Sequence, residues 1–196
     1  MQLYLIRHPR PEIAPGICYG QSDIPSSEAQ CQLLLPSLLP ALRSMLPADH
    51  IAQTAIYSSP LQRCRLLATH LATGLQVQTQ FDPRLMEMNF GRWELQNWDQ
   101  IPRVEVDAWA ADVSGYRPGG AENVLDMAAR IIEFLEELVA QDENKKKNVL
   151  IVSHAGSMRL MLAYQVGISP EAMAHKLVAD HQVIDFGECR QLQLKI

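Results

Sequence analysis

A chain of 196 residues is long enough to bury a sizeable core as one domain without disulfide or metal staples. Its 47% hydrophobic and 20% charged residues exclude a largely disordered chain, and a formal net charge of -5 argues against a broad face for gripping nucleic acid. The four cysteines, Cys18, Cys31, Cys64 and Cys189, form no CxxC pair, which removes a zinc ribbon or dithiol motif and fits a reducing compartment.

In chain order, MQLYLIRH is too short and too soon interrupted by Arg7 to be a signal-peptide core. Leu3 to Ile6 instead reads as a strand buried on both faces, with Arg7, His8 and Pro9 at its carboxyl end. Pro36 and Pro40 break the Leu-rich stretch QLLLPSLLPAL and no apolar run reaches spanning length, so no membrane segment is expected and the location is read as cytoplasmic. AIYSS, 55 to 59, is a weaker strand; Ser59 then caps and Pro60 opens a helix over LQRCRLLATHLA, with Arg63 in its first turn. Residues 82 to 117 carry Trp93, Trp98, Trp109 and Tyr116 among charged residues with short helical pieces, and read as an excursion from the sheet rather than a second domain.

After Pro118-Gly119-Gly120, the helical spacing of Val124, Met127, Ala128, Ile131, Phe134, Leu135 and Leu138 predicts an amphipathic helix ending near Gln141. Lys145 to Lys147 read as a solvated linker. NVLIVS, 148 to 153, is the most strand-like run, closed by His154 and followed by a helix; QVIDFGECRQLQLKI reads as two strands joined by a turn at Gly187. Strand, loop and helix in repetition define an α/β domain with a mostly parallel central sheet flanked by helices.

Ligands of open α/β sheets sit beyond the carboxyl ends of strands, and both His8 and His154 stand at such ends. If the two strands are neighbours, the histidines share one crevice. Arg63, near a helix N-terminus, adds free N–H groups and a bidentate cation, which together attract an anion.

Five ordered motifs, LYLIRHPRP, SSPLQRCR, LMEMNFGRWE, PGGAEN and IVSHAGSMR, resemble the histidine phosphatases, the phosphoglycerate-mutase-like superfamily, over nearly the whole chain. The resemblance implies a three-layer sandwich and assigns roles residue by residue. His8 would be the nucleophile that forms a phosphohistidine; Arg7, Arg63 and His154 would surround the phosphoryl oxygens. Glu87 would protonate the leaving alcohol, and Gln21 and Ser22 would add phosphate contacts. Within the superfamily GICYGQSDIPSS and LMEMNFGRWE are most similar to the α-ribazole phosphatase branch, which implies hydrolysis of α-ribazole 5′-phosphate in cobalamin synthesis.

The chemistry is consistent with that division of roles. A phosphoryl group in flight spreads negative charge over its equatorial oxygens, and two arginines and a histidine meet it without a metal. The nucleophile must be neutral, and neighbouring arginines favour that form; Glu87 must be protonated, which a nearby phosphate dianion favours. Otherwise Glu87 is a surface carboxylate beside Arg84 or Arg92, and Trp93 and Trp98 either pack the excursion or form an aromatic wall against a flat substrate base. The family usually has glycine or another small residue after Arg-His, and Pro9 departs from it, fixing φ and removing an N–H.

No cofactor or metal is expected, since the six histidines show no HxxxH or similar spacing. The expected partner is a small phosphorylated metabolite, with no nucleic acid and no membrane, and the oligomeric state is left open. The alternatives are a phosphoglycerate mutase or sugar-phosphate phosphatase and, from another class, a phosphate-binding module without catalysis.

Overall fold

The computed structural model describes residues 1–46, 48–141 and 148–194. Its centre is a five-stranded sheet built from β1 (Gln2–Arg7), β2 (Ala55–Ser58), β3 (Thr79–Phe81), β4 (Asn148–Ser153) and β5 (Cys189–Gln193), in the order β3-β2-β4-β1-β5. All pairs are parallel except β1 with β5, which is antiparallel.

Alternation along the central strands sorts their side chains onto two faces. Leu3, Leu5, Val149 and Ile151 pack into the cluster that holds α4 (Val124–Gln141), α5 (Ala155–Ala163) and α6 (Pro170–Ala179). Tyr4, Ile6, Leu150 and Val152 join the cluster formed with α1 (Glu28–Met45) and α2 (Gln62–Leu75) on the other side. The result is the expected three-layer α/β sandwich. Strands covered on both faces have no polar side, which is why β1 and β4 read as unbroken apolar runs. Emptying such a position, as in Leu5→Ala, costs about 2–5 kcal/mol.

The structure departs from the sequence reading in four places. Pro36 and Pro40 do not break the Leu-rich stretch but lie inside the 18-residue helix α1. They are four apart, exposed on one face, opposite the buried Cys31, Leu38 and Leu42, so the carbonyls they leave unbonded face water. The helix after Pro60 begins at Gln62 without a side-chain cap: the Ser59 hydroxyl accepts from the Leu61 N–H, at 3.4 Å, and meets His154 Nε2 at 2.9 Å. The end of the chain supplies one strand, β5, not two: Gly187 does turn, with φ of 75°, but residues 182–185 run as an irregular strap. The short edge strand β3 and the helix α6 carried no clear periodic signal. The linker reading of Lys145 to Lys147 lies outside the described residues. Among the described residues no helix is long and apolar enough to cross a membrane.

Residues 82–117 add no strand to the sheet. They hold single-turn helices and α3 (Arg103–Ala111), gathered on a small core of Cys18, Trp93 and Ile101.

Candidate active site

The strand register brings the two histidines together. Arg7 of β1 lies opposite Ser153 of β4, and one residue further the His8 N–H donates to the Ser153 carbonyl at 3.0 Å. The rings of His8 and His154 stand 5.0 Å apart, edge to face. On the other side of β4, Ser59 N–H donates to the Val152 carbonyl at 3.0 Å, which delivers Arg63 at the start of α2 to the same end of the sheet.

Each histidine has a definable tautomer. His8 Nδ1 lies 2.6 Å from the Pro9 carbonyl, which can only accept, so Nδ1 carries the proton and Nε2 keeps its lone pair. For His154 the order is reversed. The Arg63 Nε–H donates to its Nδ1 at 3.3 Å, so Nε2 carries the proton and faces the Ser59 hydroxyl at 2.9 Å. Burial, first, and the Arg63 and Arg7 charges push His8 well below the usual imidazole range. Burial, the repulsion that a protonated His8 would exert, and the charges of Arg63, Arg130 and Arg7 do the same to His154. Both are held neutral at ordinary pH. Burial also pushes the neighbouring Cys64 thiol up, so it stays protonated beside the His154 ring.

Arg63 is fully buried, and its guanidinium also donates to the Ser22 carbonyl at 2.8 Å and the Gly20 carbonyl at 2.5 Å. Arg7 is held differently. Its Nη1 donates to the Ile184 carbonyl at 2.5 Å and its guanidinium lies 3.9 Å over the Phe186 ring. Its Nε is buried with no hydrogen-bond partner among the described residues. Burial pulls its pKa below the ordinary guanidinium value.

Glu87 is not paired with Arg84 or Arg92, which bind Asp82 and Glu105 respectively. Its Oε2 accepts from the Gly156 N–H at 3.0 Å and its Oε1 from the Met88 N–H at 3.1 Å, beside the His154 turn. The approach depends on Gly156, where a Cβ would stand 2.3 Å from Glu87 Oε1.

Arg7, His8, Arg63, Glu87 and His154 therefore line one cavity of about 650 Å³. Gln21 and Ser22 do not line it. The Gln21 amide donates to the Glu87 carbonyl at 3.1 Å, and the Ser22 hydroxyl is given to Glu94. Both side chains hold the loop rather than point into the pocket.

Three residues that sequence reasoning missed build this frame. Glu94 accepts from the backbone N–H groups of Gln21, Ser22 and Phe90, tying the loop that binds Arg63 to the loop that bears Glu87. Arg130 donates to the carbonyls of Arg84, Met86 and Glu87 and pairs with Glu122 through Nε at 2.6 Å. Glu122, from PGGAEN, also accepts from the Asn89 N–H at 3.0 Å. Apart from the local Phe90–Glu94 contact, these contacts join residues 8 to 73 positions apart, so only the motifs LMEMNFGRWE and PGGAEN hinted at them.

A mostly parallel sandwich with paired neutral histidines, a half-buried Arg7 and a fully buried Arg63 at neighbouring strand ends defines an α/β protein whose crevice suits a small anion beside an imidazole. The family model of the Histidine phosphatase superfamily (branch 1) matches residues 3–191, and the chain belongs to that superfamily. The Adenosylcobalamin/alpha-ribazole phosphatase of Escherichia coli K12 is 26% identical over 179 residues, covering 89% of this chain and 84% of that one. Phosphoserine phosphatase 1 of Hydrogenobacter thermophilus is 27% identical over 175 residues, 86% and 77% of the two chains. Among solved structures, the alpha-ribazole phosphatase of Shigella flexneri superposes with a TM-score of 0.78 at 24% identity, over 100% of this chain and 91% of that one.

Proposed function

We propose that the protein is a metal-independent phosphomonoesterase that forms a phosphohistidine on His8 and hydrolyses α-ribazole 5′-phosphate to α-ribazole and phosphate in cobalamin synthesis. The observation that carries the reading is the His8 Nδ1 contact with the Pro9 carbonyl, which leaves the Nε2 lone pair as the nucleophile on a floor of two arginines and a second histidine.

Nε2 attacks phosphorus in line as the P–O ester bond breaks, and protonated Glu87 gives its proton to the departing alkoxide. Water then attacks the phosphohistidine; Glu87 takes its proton, phosphate leaves, and the Nε2 lone pair is restored. Arg7 and Arg63 offset the equatorial charge in both steps, and His154, accepting from Arg63 Nε–H and turned toward Ser59, holds the Arg63 guanidinium in place. The α-ribazole substrate is supported by the alpha-ribazole phosphatase relatives and by the apolar breadth of the cavity beyond His8.

Acid quenching during turnover of labelled ester should trap phosphate on the wild-type protein and none on His8→Ala. Turnover of His8→Ala at the wild-type rate, or loss of activity in chelator that added divalent metal restores, refutes the mechanism. A second reading, phosphoserine or phosphoglycerate as substrate, is favoured by relatives of similar identity with those names, and a side-by-side substrate panel separates them.

A further inference from the structure

The cavity has two chemically different halves. Its floor is the cationic set around His8; its far wall comes from the excursion, through Phe90, Trp98, Val106, Trp109 and Val113, and faces Val124 and Met127 of α4. The wall is a fixed surface. The Trp98 and Trp109 planes are 8° apart with centroids at 6.1 Å, and Phe90 stands edge-on to both at 6.0 Å. Trp93, 1% exposed, braces both from below at 6.1 and 5.8 Å and is itself pinned by its indole N–H to Glu105 at 2.7 Å.

A stacked, braced pair of rings opening on the nucleophile is poorly suited to a small carboxylate-bearing phosphoester. It matches a flat apolar ring.

We propose that Trp98 and Trp109 form a leaving-group subsite that takes a flat, uncharged aromatic base. The proposal rests on the phosphomonoesterase reading and deepens it, assigning the selection of substrate to the excursion rather than to the phosphate floor. Stacking of one base on one aromatic residue corresponds to a roughly tenfold or larger effect on binding.

The test compares α-ribazole 5′-phosphate, AMP and ribose 5-phosphate, which share the phosphoryl group and a ribose but differ in the base. The wild type should favour the two base-bearing esters. Trp98→Ala and Trp109→Ala should each lower kcat/KM on them about tenfold or more, mostly through KM, and leave ribose 5-phosphate within about twofold. Trp98→Leu, which keeps the apolar volume but not the flat face, should behave like Trp98→Ala and guards against a folding defect. Free α-ribazole should quench tryptophan fluorescence in His8→Ala, and less in its double variant with Trp98→Leu. Equal losses on all three esters, or a wild type indifferent to the base, overturn the subsite. If AMP and α-ribazole 5′-phosphate are turned over alike with the same Trp98 dependence, the subsite stands and the α-ribazole assignment falls. If quenching persists but no ester is hydrolysed, the subsite stands and the enzymatic reading falls.

Discussion

Gly156→Ala separates the chemistry of Glu87 from the stability of the fold. A Cβ on residue 156 would lie 2.3 Å from Glu87 Oε1 and 3.1 Å from Cδ, whereas ordinary contact begins at 3.4 Å. The carboxyl group must therefore retreat by about 1.1 Å (3.4 − 2.3), and its 3.0 Å hydrogen bond from the Gly156 N–H is lost with it. The end of a flexible side chain moves cheaply. Gly156 is not among the glycines with positive φ and lies in the first turn of α5, where alanine is favoured over glycine by up to about 1 kcal/mol. The melting temperature should stay level or rise. Catalysis has no such latitude, since a displacement of about 1 Å in a reacting group costs on the order of 100-fold, about 2.7 kcal/mol of barrier. The loss should fall on esters whose alcohol needs a proton. Steady-state kinetics should show kcat on an alkyl phosphate falling about 100-fold, with p-nitrophenyl phosphate changed less than about fivefold. Equal losses on both esters, or alkyl turnover within about threefold of wild type, refute the placement of Glu87 as the proton donor.

Three further outcomes follow from the same geometry. Glu94→Gln puts an amide donor where backbone donors converge, so a fall of several degrees in melting temperature and about tenfold in kcat/KM is expected; an unchanged melt refutes its role as the loop anchor. Phe186→Ala removes the ring 3.9 Å beneath Arg7, a contact worth about 0.5–2 kcal/mol, and should raise KM and weaken phosphate inhibition between about twofold and thirtyfold, as competition kinetics would show. His8 and His154 are held below the unfolded imidazole value of about 6.5, so the unfolded chain takes up protons first as the pH drops. Their contribution to stability is whole above that pH and is lost below it, at up to about 1.4 kcal/mol per pH unit for each histidine. Urea unfolding between pH 7.5 and 5 measures the slope, and His154→Asn should remove about half of it.

Legibility tracked the range of the interaction. The strands of residues 3–6 and 148–153 and the helix from Val124 to Gln141 were readable because a strand buried on both faces and an amphipathic helix print their burial directly onto the sequence. His8 and His154 were readable as strand-end residues, and their meeting needed only that β1 and β4 be neighbours. α1 was hidden because two prolines signal a break, and only their common exposure four residues apart makes them harmless. Glu94 and Arg130 were hidden for a different reason: their partners are backbone N–H and C=O groups, which every residue has, so no residue type announces the contact. The loop contacts of Gln21 and Ser22 were hidden by the converse effect, since a polar side chain near a phosphate motif gives no sign of whether it meets a ligand or the loop.

Pro9 now has a physical account. Residue 9 supplies no N–H, but its carbonyl accepts from both His8 Nδ1 at 2.6 Å and Ser26 Oγ at 3.0 Å, and a pyrrolidine ring that fixes φ restricts the orientation of the chain carrying that carbonyl. Proline at this position trades one backbone donor for a more rigid acceptor that sets the tautomer of His8, the nucleophile of the proposed mechanism. One donor fewer shifts the load onto the cations. Arg63 has already given donors to Ser22, Gly20 and His154, while Arg7 keeps its Nε unpartnered. On the proposed mechanism Arg7, whose guanidinium gives a hydrogen bond to the Ile184 carbonyl alone among the described residues, is the residue with more donors left for a phosphoryl oxygen. That is a reason for its guanidinium to be held on two sides, by the Ile184 carbonyl of the irregular strap and by the Phe186 ring of the turn that follows it.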